Sequence, residues 1–296
     1  MFDYKLLAAL AAVIEQGGFE RAAQALGLSQ SAVSQRIKLL EARVGQPVLL
    51  RATPPAPTEI GRLLLNHVQQ VRLLERDLQD QVPALDEGGL PERLRIALNA
   101  DSLATWWARA VGDFCAERGL LLDLVVEDQD VGLKRMRAGD VAGCVCAGDK
   151  PVAGARCIPL GAMRYRALAS PAFVARHFAA GVTAAALARA PAIVFGPDDQ
   201  LQHRFFAMLG GEGGFIHHLC PSSEGFVRLT SGGFGWGLVP EQQVRGELER
   251  GELVELLPGR VIDVPLYWHH WRNGGELLAS LTRHLEKYTG RWLVQV

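Results

Sequence analysis

No apolar run in this chain approaches the ~18 residues that a helix needs to cross a bilayer, and a soluble globular protein is expected. The opening MFDYKLLAAL carries Asp3 where a secretory leader would carry net positive charge, which points to a bacterial-type cytoplasm. Cysteine is scarce and odd in number. The five thiols, Cys115, Cys144, Cys146, Cys157 and Cys220, are scattered, which argues for reduced, buried side chains and against a disulfide framework. Charge of neither sign dominates: with 31 basic and 32 acidic residues the formal net charge is -1, so no global field draws the chain to nucleic acid.

Catalytic signatures are missing as well. His217-His218-Leu219-Cys220 and Cys144-x-Cys146 contain metal-ligand residue types without the paired spacing of a zinc site, and buried thiols on a strand are the better reading. The glycine-rich SGGFGWG at 231–237 is not GxGxxG after a strand and reads as a turn feeding the next strand. No phosphate-binding loop and no GxSxG elbow occurs. Neither an enzyme nor a cofactor or metal is expected.

What is present is apolar mass and pattern. A chain of 296 residues, 49% hydrophobic, can build two or three compact domains. Leu6, Leu7, Leu10, Val13 and Ile14 mark a first amphipathic helix stopped at Gln16-Gly17-Gly18. FERAAQAL forms a second, with Phe19, Ala22, Ala23 and Leu26 inward and Gly27 permitting the left-handed turn that ends it. Ser29 caps a third that buries Val33, Ile37 and Leu40. Gln30, Ser31, Ser34, Gln35 and Lys38 project from its other faces.

Two short helices joined by a tight turn containing Gly, the second opening with amides and hydroxyls, fit a helix-turn-helix DNA reader. Gln bonds adenine bidentately, Ser bonds bases or phosphate, and Lys or Arg reaches guanine or the backbone. Between Gln30 and Arg51 the cations Arg36, Lys38, Arg43 and Arg51 face a single anion, Glu41, giving a local basic patch. An ordinary solvated amphipathic helix fits the same spacing. PVLLR, residues 47–51, then reads as a strand, TPPAPT as a rigid tip and Thr58 as the cap of the next helix, which makes a wing. The DNA-contacting candidates are Gln30, Ser31, Ser34, Gln35, Arg36, Lys38, Arg51 and Thr58, with the helix-turn-helix running from Phe19 to Lys38.

From Glu59 a long helix runs to about Val82. Ile60, Leu64, His67, Val71, Leu74 and Leu78 recur at alternating spacings of four and three, the seam of a two-stranded coiled coil, so a homodimer on paired half-sites is expected. His67 sits at a seam position. ALDEGGLPER is a polar hinge, and beyond it strand-like runs (RLRIALN, LLLDLVVE, VAGCVCAG, ALAS, PAIVFG, GWGLVP) alternate with helix-like ones, the pattern of an α/β domain with a largely parallel sheet. Ligands in such sheets lie at the carboxyl ends of strands.

The run FERAAQALGLSQSAVSQRIKLLEARVGQPVLLR followed by PTEIGRLLL resembles the DNA-binding domain of LysR-type transcriptional regulators, and the resemblance extends over the whole chain. DYKLLAAL, APTE, NADSLATW, VVEDQ, SSEGFV and PLYWH resemble the ArgP/LysG branch, which also carries the older label of chromosome-replication initiation inhibitor. The resemblance implies an α/β protein overall: a winged helix-turn-helix at 1–58, a dimerising linker helix and hinge at 59–90, and a two-lobed periplasmic-binding-protein-like effector module. Lobe I would take 91–163 plus 268–296, and lobe II 164–267, so the chain crosses twice and the cleft has two hinges. It also implies a lysine or arginine effector, control of basic amino-acid export or metabolism genes, a tetrameric assembly on promoter DNA, and RNA polymerase as a further partner.

A basic amino acid needs N–H donors for its carboxylate and carboxylates for its cationic head. NADSLATW places Ala100, Asp101 and Ser102 after Asn99 at a strand end, and PSSEGF repeats the arrangement with Ser223 and Glu224 after Ser222. Asp128 ends a second strand, and Asp198 and Asp199 follow PAIVFGP. Plain helix capping accounts for the same residue types. Trp106, Trp107, Trp268 and Trp271 are expected in the core, with Trp106 or Trp268 as an alternative wall for the ligand's stem. Two other functions compete with the sensor: an architectural binder of A+T-rich DNA that inhibits replication initiation with little effector dependence, and a small-molecule binder whose helix-turn-helix is vestigial. Weak discrimination between promoter and A+T-rich competitor marks the first, and no DNA affinity marks the second.

Overall fold

The computed structural model describes residues 3–50, 52–81, 93–127 and 132–295. The N-terminal unit packs α1 (Tyr4–Glu15), α2 (Phe19–Ala25) and α3 (Gln30–Val44) around one core. The Asp3 carboxylate accepts from the Lys5 amide at the start of α1. Gly27 takes φ 62 after α2, and Gly45 takes φ 80 to close α3; both are left-handed positions that side chains resist. The Ser29 hydroxyl accepts the Ala32 N–H at 3.2 Å and so starts α3. Val33, Ile37 and Leu40 are buried, each contributing about 1.5–3 kcal/mol by area.

A short hairpin, β1 (Leu49–Leu50) with β2 (Ala56–Pro57), forms the wing, and its tip contains a cis Thr53–Pro54 bond. Helix α4 (Glu59–Gln81) follows. Its apolar stripe is divided: Leu64 and Val68 are buried in the N-terminal core, whereas Leu63, Leu74 and Leu78 are about half exposed. His67, at an expected seam position, meets the Tyr4 hydroxyl at 3.2 Å where the first turns of α4 pack on α1. Periodicity fixes a stripe but not which neighbour it meets.

The second unit starts with β3 (Arg93–Asn99), which leads into a helix in three parts: α5 (Ala100–Ser102), a π turn over Leu103–Trp107, and α6 (Ala108–Arg118). β4 (Leu121–Glu127), α7 (Gly132–Ala138) and β5 (Gly143–Cys146) follow, and then the long β6 (Ala155–Ala169). The chain continues through α8 (Pro171–His177), α9 (Ala184–Arg189), β7 (Ala192–Val194), α10 (Leu201–Met208), β8 (His217–Leu219) and α11 (Ser223–Ser231). It closes with β9 (Gly237–Pro240), α12 (Arg245–Glu249), β10 (Val254–Glu255), β11 (Val261–Trp271) and α13 (Gly275–Tyr288).

The main sheet runs β10-β6-β11-β5-β3-β4, with β9 added on β6. It is parallel only where β3 meets β4 and β5; β11, β6, β9 and β10 pair antiparallel. The largely parallel sheet expected from strand–helix alternation is therefore a mixed one, since the two long strands that span both halves run in opposite directions. The boundaries expected at 163/164 and 267/268 fall inside β6 and β11. Across this pair Arg164 binds Asp263 bidentately, with both nitrogen–oxygen distances 2.8 Å, which holds the Asp263 carboxyl below the usual carboxylate range.

Trp106, Trp107, Trp236 and Trp268 are all fully buried. The Trp268 indole donates to the Thr282 hydroxyl at 2.9 Å. Cys144 and Cys146 are buried on β5, and among the described residues no group of three His, Cys, Asp or Glu is placed to hold a metal.

Candidate DNA-reading surface and effector cleft

The start of α3 faces outward. Gln30, Ser31, Gln35 and Lys38 are exposed, and Ser34 and Arg36 are half-buried at its flank. Among the described residues neither Arg36 nor Lys38 has a salt-bridge partner. Glu41, the one anion within α3, turns the other way: its carboxylate accepts the Val48 N–H at 3.0 Å and ties α3 to the wing. The free N–H groups and positive end of α3 thus share one face with two cations and two exposed amides, an arrangement suited to phosphate and base edges. Thr58 has a structural task. Its hydroxyl donates to the Pro47 carbonyl at 2.9 Å and accepts the Gly61 N–H at 3.1 Å, capping α4. Arg51 lies outside the described residues.

The other site is a narrow cleft with about 460 Å³ of space free of protein atoms, its open mouth and the solvent in it included. The starts of two helices meet there. Ala100 and Asp101 enter from the first turn after β3, and Ser223 enters from the first turn of α11. Asp101 is the centre of the polar network. One carboxylate oxygen accepts the Tyr165 hydroxyl at 2.7 Å, the other the Ser223 hydroxyl at 2.6 Å. Ser223 Oγ also lies 3.1 Å from the Gln243 side-chain amide. A hydroxyl has one proton to give, so this second contact fits the amide turned with its nitrogen donating.

Opposite, the Asp199 carboxylate accepts the Phe195 and Leu201 N–H groups at 3.0 and 2.9 Å. Those bonds leave further lone pairs for a cation. Phe195, Leu201, Phe226 and Leu238 form the apolar wall.

Of the effector residues expected from sequence, Ala100, Asp101, Asp199 and Ser223 line this cleft. The others lie apart. Ser102 is fully buried beneath Trp106, whose indole donates to its hydroxyl at 3.1 Å, because the helix carries its side chain into the core. Asp198 is exposed outside the lining. Glu224 points to solvent and pairs with Arg228 one helical turn on, at 4.0 Å. Asp128 lies outside the described residues. Trp106 and Trp268 belong to the core and not to the cleft wall. Sequence reasoning missed Gln243, Phe195 and Phe226, which carry no local signal, and left Asn99 unassigned although the NADS strand end contains it.

Residues 4–62 match the family described as bacterial regulatory helix-turn-helix protein, lysR family, and residues 87–288 match the LysR substrate binding domain. The chain is 82% identical over 296 residues to the HTH-type transcriptional regulator ArgP of Pseudomonas aeruginosa, covering 100% of this chain and 99% of the relative. It is 46% identical over 271 residues to the ArgP of Aeromonas salmonicida, covering 91% and 90%. Among solved structures it resembles ArgP from Mycobacterium tuberculosis, with 39% identity, a TM-score of 0.86 and coverage of 100% and 99%. Full-length LysG from Corynebacterium glutamicum with bound effector Arg matches at 35% identity and a TM-score of 0.75, with coverage of 99% and 100%.

Proposed function

The chain belongs to the LysR-type transcriptional regulators, non-enzymatic DNA-binding proteins, and from that premise we propose that it senses a free basic amino acid and adjusts the expression of genes for basic amino-acid export or metabolism. The observation that carries this reading is the cleft where two helix starts and two carboxylates, Asp101 and Asp199, surround a space walled by Phe195, Phe226 and Leu238. Helix starts suit the α-carboxylate, the carboxylates suit ammonium or guanidinium, and the apolar wall suits the aliphatic stem between them. The bound arginine of the Corynebacterium relative supports the same ligand class.

In this reading residues 1–58 read DNA, 59–90 link and dimerise, and 91–163 with 268–296 close as one lobe on 164–267. The half-exposed Leu63, Leu74 and Leu78 of α4 support a dimer. Ligand acts by population shift: it favours whichever assembly closes the cleft, and the spacing of the two readers on promoter DNA follows.

Isothermal titration with lysine and arginine, against leucine and glutamate, tests the sensor. Saturable binding of a basic amino acid alone is expected, and Asp101→Asn lowers its affinity about tenfold, the cost of weakening one charge-assisted contact. Binding of neither basic amino acid returns weight to an effector-independent architectural role. On DNA, Gln35→Ala is expected to relax preference at one base position, whereas Lys38→Ala weakens all sequences about equally and lowers the salt slope by about one. Equal losses for Gln35→Ala on cognate and scrambled duplexes would remove its base-reading role.

A further inference from the structure

Asn99 ends β3 on the wall of the cleft. Only 2% of its surface is exposed, yet neither its amide nitrogen nor its amide oxygen has a hydrogen-bond partner. Buried amides are paired almost without exception, because leaving a donor and an acceptor dry costs free energy that an apolar residue of similar size would not. Gln202 and the Asn66 amide oxygen are also buried and unpaired but lie outside the cleft lining, so among the described residues Asn99 is the one orphaned amide that lines the cleft.

We propose that Asn99 is a specificity-determining residue of the cleft, its amide reading the adjoining ammonium and carboxylate of a free α-amino acid. This rests on the reading of the cleft as a basic amino-acid site. The groups beside Asn99 are each of one kind: the N–H groups at Ala100 donate, and the Asp101 carboxylate accepts. A lone anion or a lone cation would be served by one of them. An amide does both, giving Nδ2 protons to a carboxylate and taking an ammonium proton at Oδ1, and that pair of groups occurs one carbon apart only on an unmodified α-amino acid. Asn99 therefore selects against the decarboxylated amine and the Nα-blocked acid, while the Asp199 carboxylate serves the far end of the side chain.

The test uses the full-length protein and four probes: arginine, lysine, agmatine, which lacks the carboxylate, and Nα-acetylarginine, which lacks the ammonium. Calorimetric affinities and ligand-free melting temperatures are measured for wild type, Asn99→Leu and Asn99→Ala. Wild type is expected to prefer arginine or lysine over both altered probes by about tenfold or more. Asn99→Leu should melt, ligand-free, no lower than wild type, and should lose about tenfold to a hundredfold in amino-acid affinity, the scale of hydrogen bonds to charged groups. Its remaining affinity should be no better for arginine than for agmatine. Asn99→Ala provides the same readout if leucine prevents folding.

Unchanged amino-acid affinity in the variants, or agmatine bound by wild type as tightly as arginine, overturns the assignment and leaves the basic amino-acid reading standing. Wild type that binds neither lysine nor arginine overturns both. A lower ligand-free melting temperature in both variants overturns the premise that the amide is unpartnered.

Discussion

Trp268→Ala is expected to remove about 3–5 kcal/mol from the effector module. The side chain is fully buried at the centre of the sheet, its ring 6.3 Å from that of Trp107 and stacked at 6.1 Å on His270. Its indole N–H donates to Thr282 on α13, so the same residue ties β11 to the last helix. Gly143 across the sheet is shaped to it: a Cβ there would lie 2.4 Å from the indole ring. Alanine would lose the transfer free energy of the indole and leave a void that this close-packed surround cannot collapse to fill. Against the 5–15 kcal/mol that holds a domain together, and at 2–4 °C per kcal/mol for a module of this size, the melting temperature should fall by roughly 10 °C. Scanning calorimetry checks it. Trp268→Phe should cost less, since the Thr282 hydroxyl keeps its bond to the Leu278 carbonyl at 2.7 Å. A melting temperature unmoved by alanine would contradict the core described here.

Gly61→Ala, an exchange that ordinarily strengthens a helix by about 1 kcal/mol, is expected here to do the reverse. In the first turns of α4 the new Cβ would lie 2.1 Å from the Val48 carbonyl oxygen and 3.1 Å from its carbon. Both are backbone atoms, so no rotamer change relieves the overlap. The same oxygen accepts the Thr58 N–H at 3.0 Å, so displacing it also loosens the cap that starts α4. Overpacking of this kind costs about 1–3 kcal/mol. For a unit of 60–100 residues, a loss of 1 kcal/mol shifts melting by about 4–8 °C. The wing should separate from α4, and DNA affinity should fall together with the stability of the N-terminal unit while the C-terminal module melts as before. Unchanged melting and unchanged DNA affinity would mean that the wing moves without cost.

The parts legible in the sequence are those whose cause is local. Gly27 and Ser29 act within a few residues of themselves, and they set where α2 ends and α3 begins. β3 coincides with RLRIALN because its apolar residues Leu94, Ile96, Ala97 and Leu98 are the buried ones, while Arg93 and Arg95 alternate outward. β6 was obscure for the opposite reason. Pro159 and Gly161 interrupt its pattern, and the Arg164 and Arg166 side chains that look solvent-bound are paired with Asp263, Glu241 and Glu255, far along the chain.

Helix starts illustrate the same limit at the candidate site. Ser102 and Ser223 carry similar local signals, yet one accepts from Trp106 in the core and the other donates to Asp101 in the cleft. Which way a first-turn serine faces depends on what packs against its helix. Glu224, in the same first turn as Ser223, faces solvent for this reason, and Asn99 is recognisable only through the partners it lacks.

The place of β11 has a consequence for how the protein is made. This strand lies between β5 and β6 in the middle of the sheet, although it is the last strand to leave the ribosome. The reader's core, by contrast, is complete once Val68 has emerged. Domains fold in order of synthesis where their contacts permit, so a nascent chain carries a finished DNA-reading head long before its sensing half can close the gap between β5 and β6. Translation that stops ahead of Val261 would release a complete DNA-binding domain joined to a module that lacks its central strand.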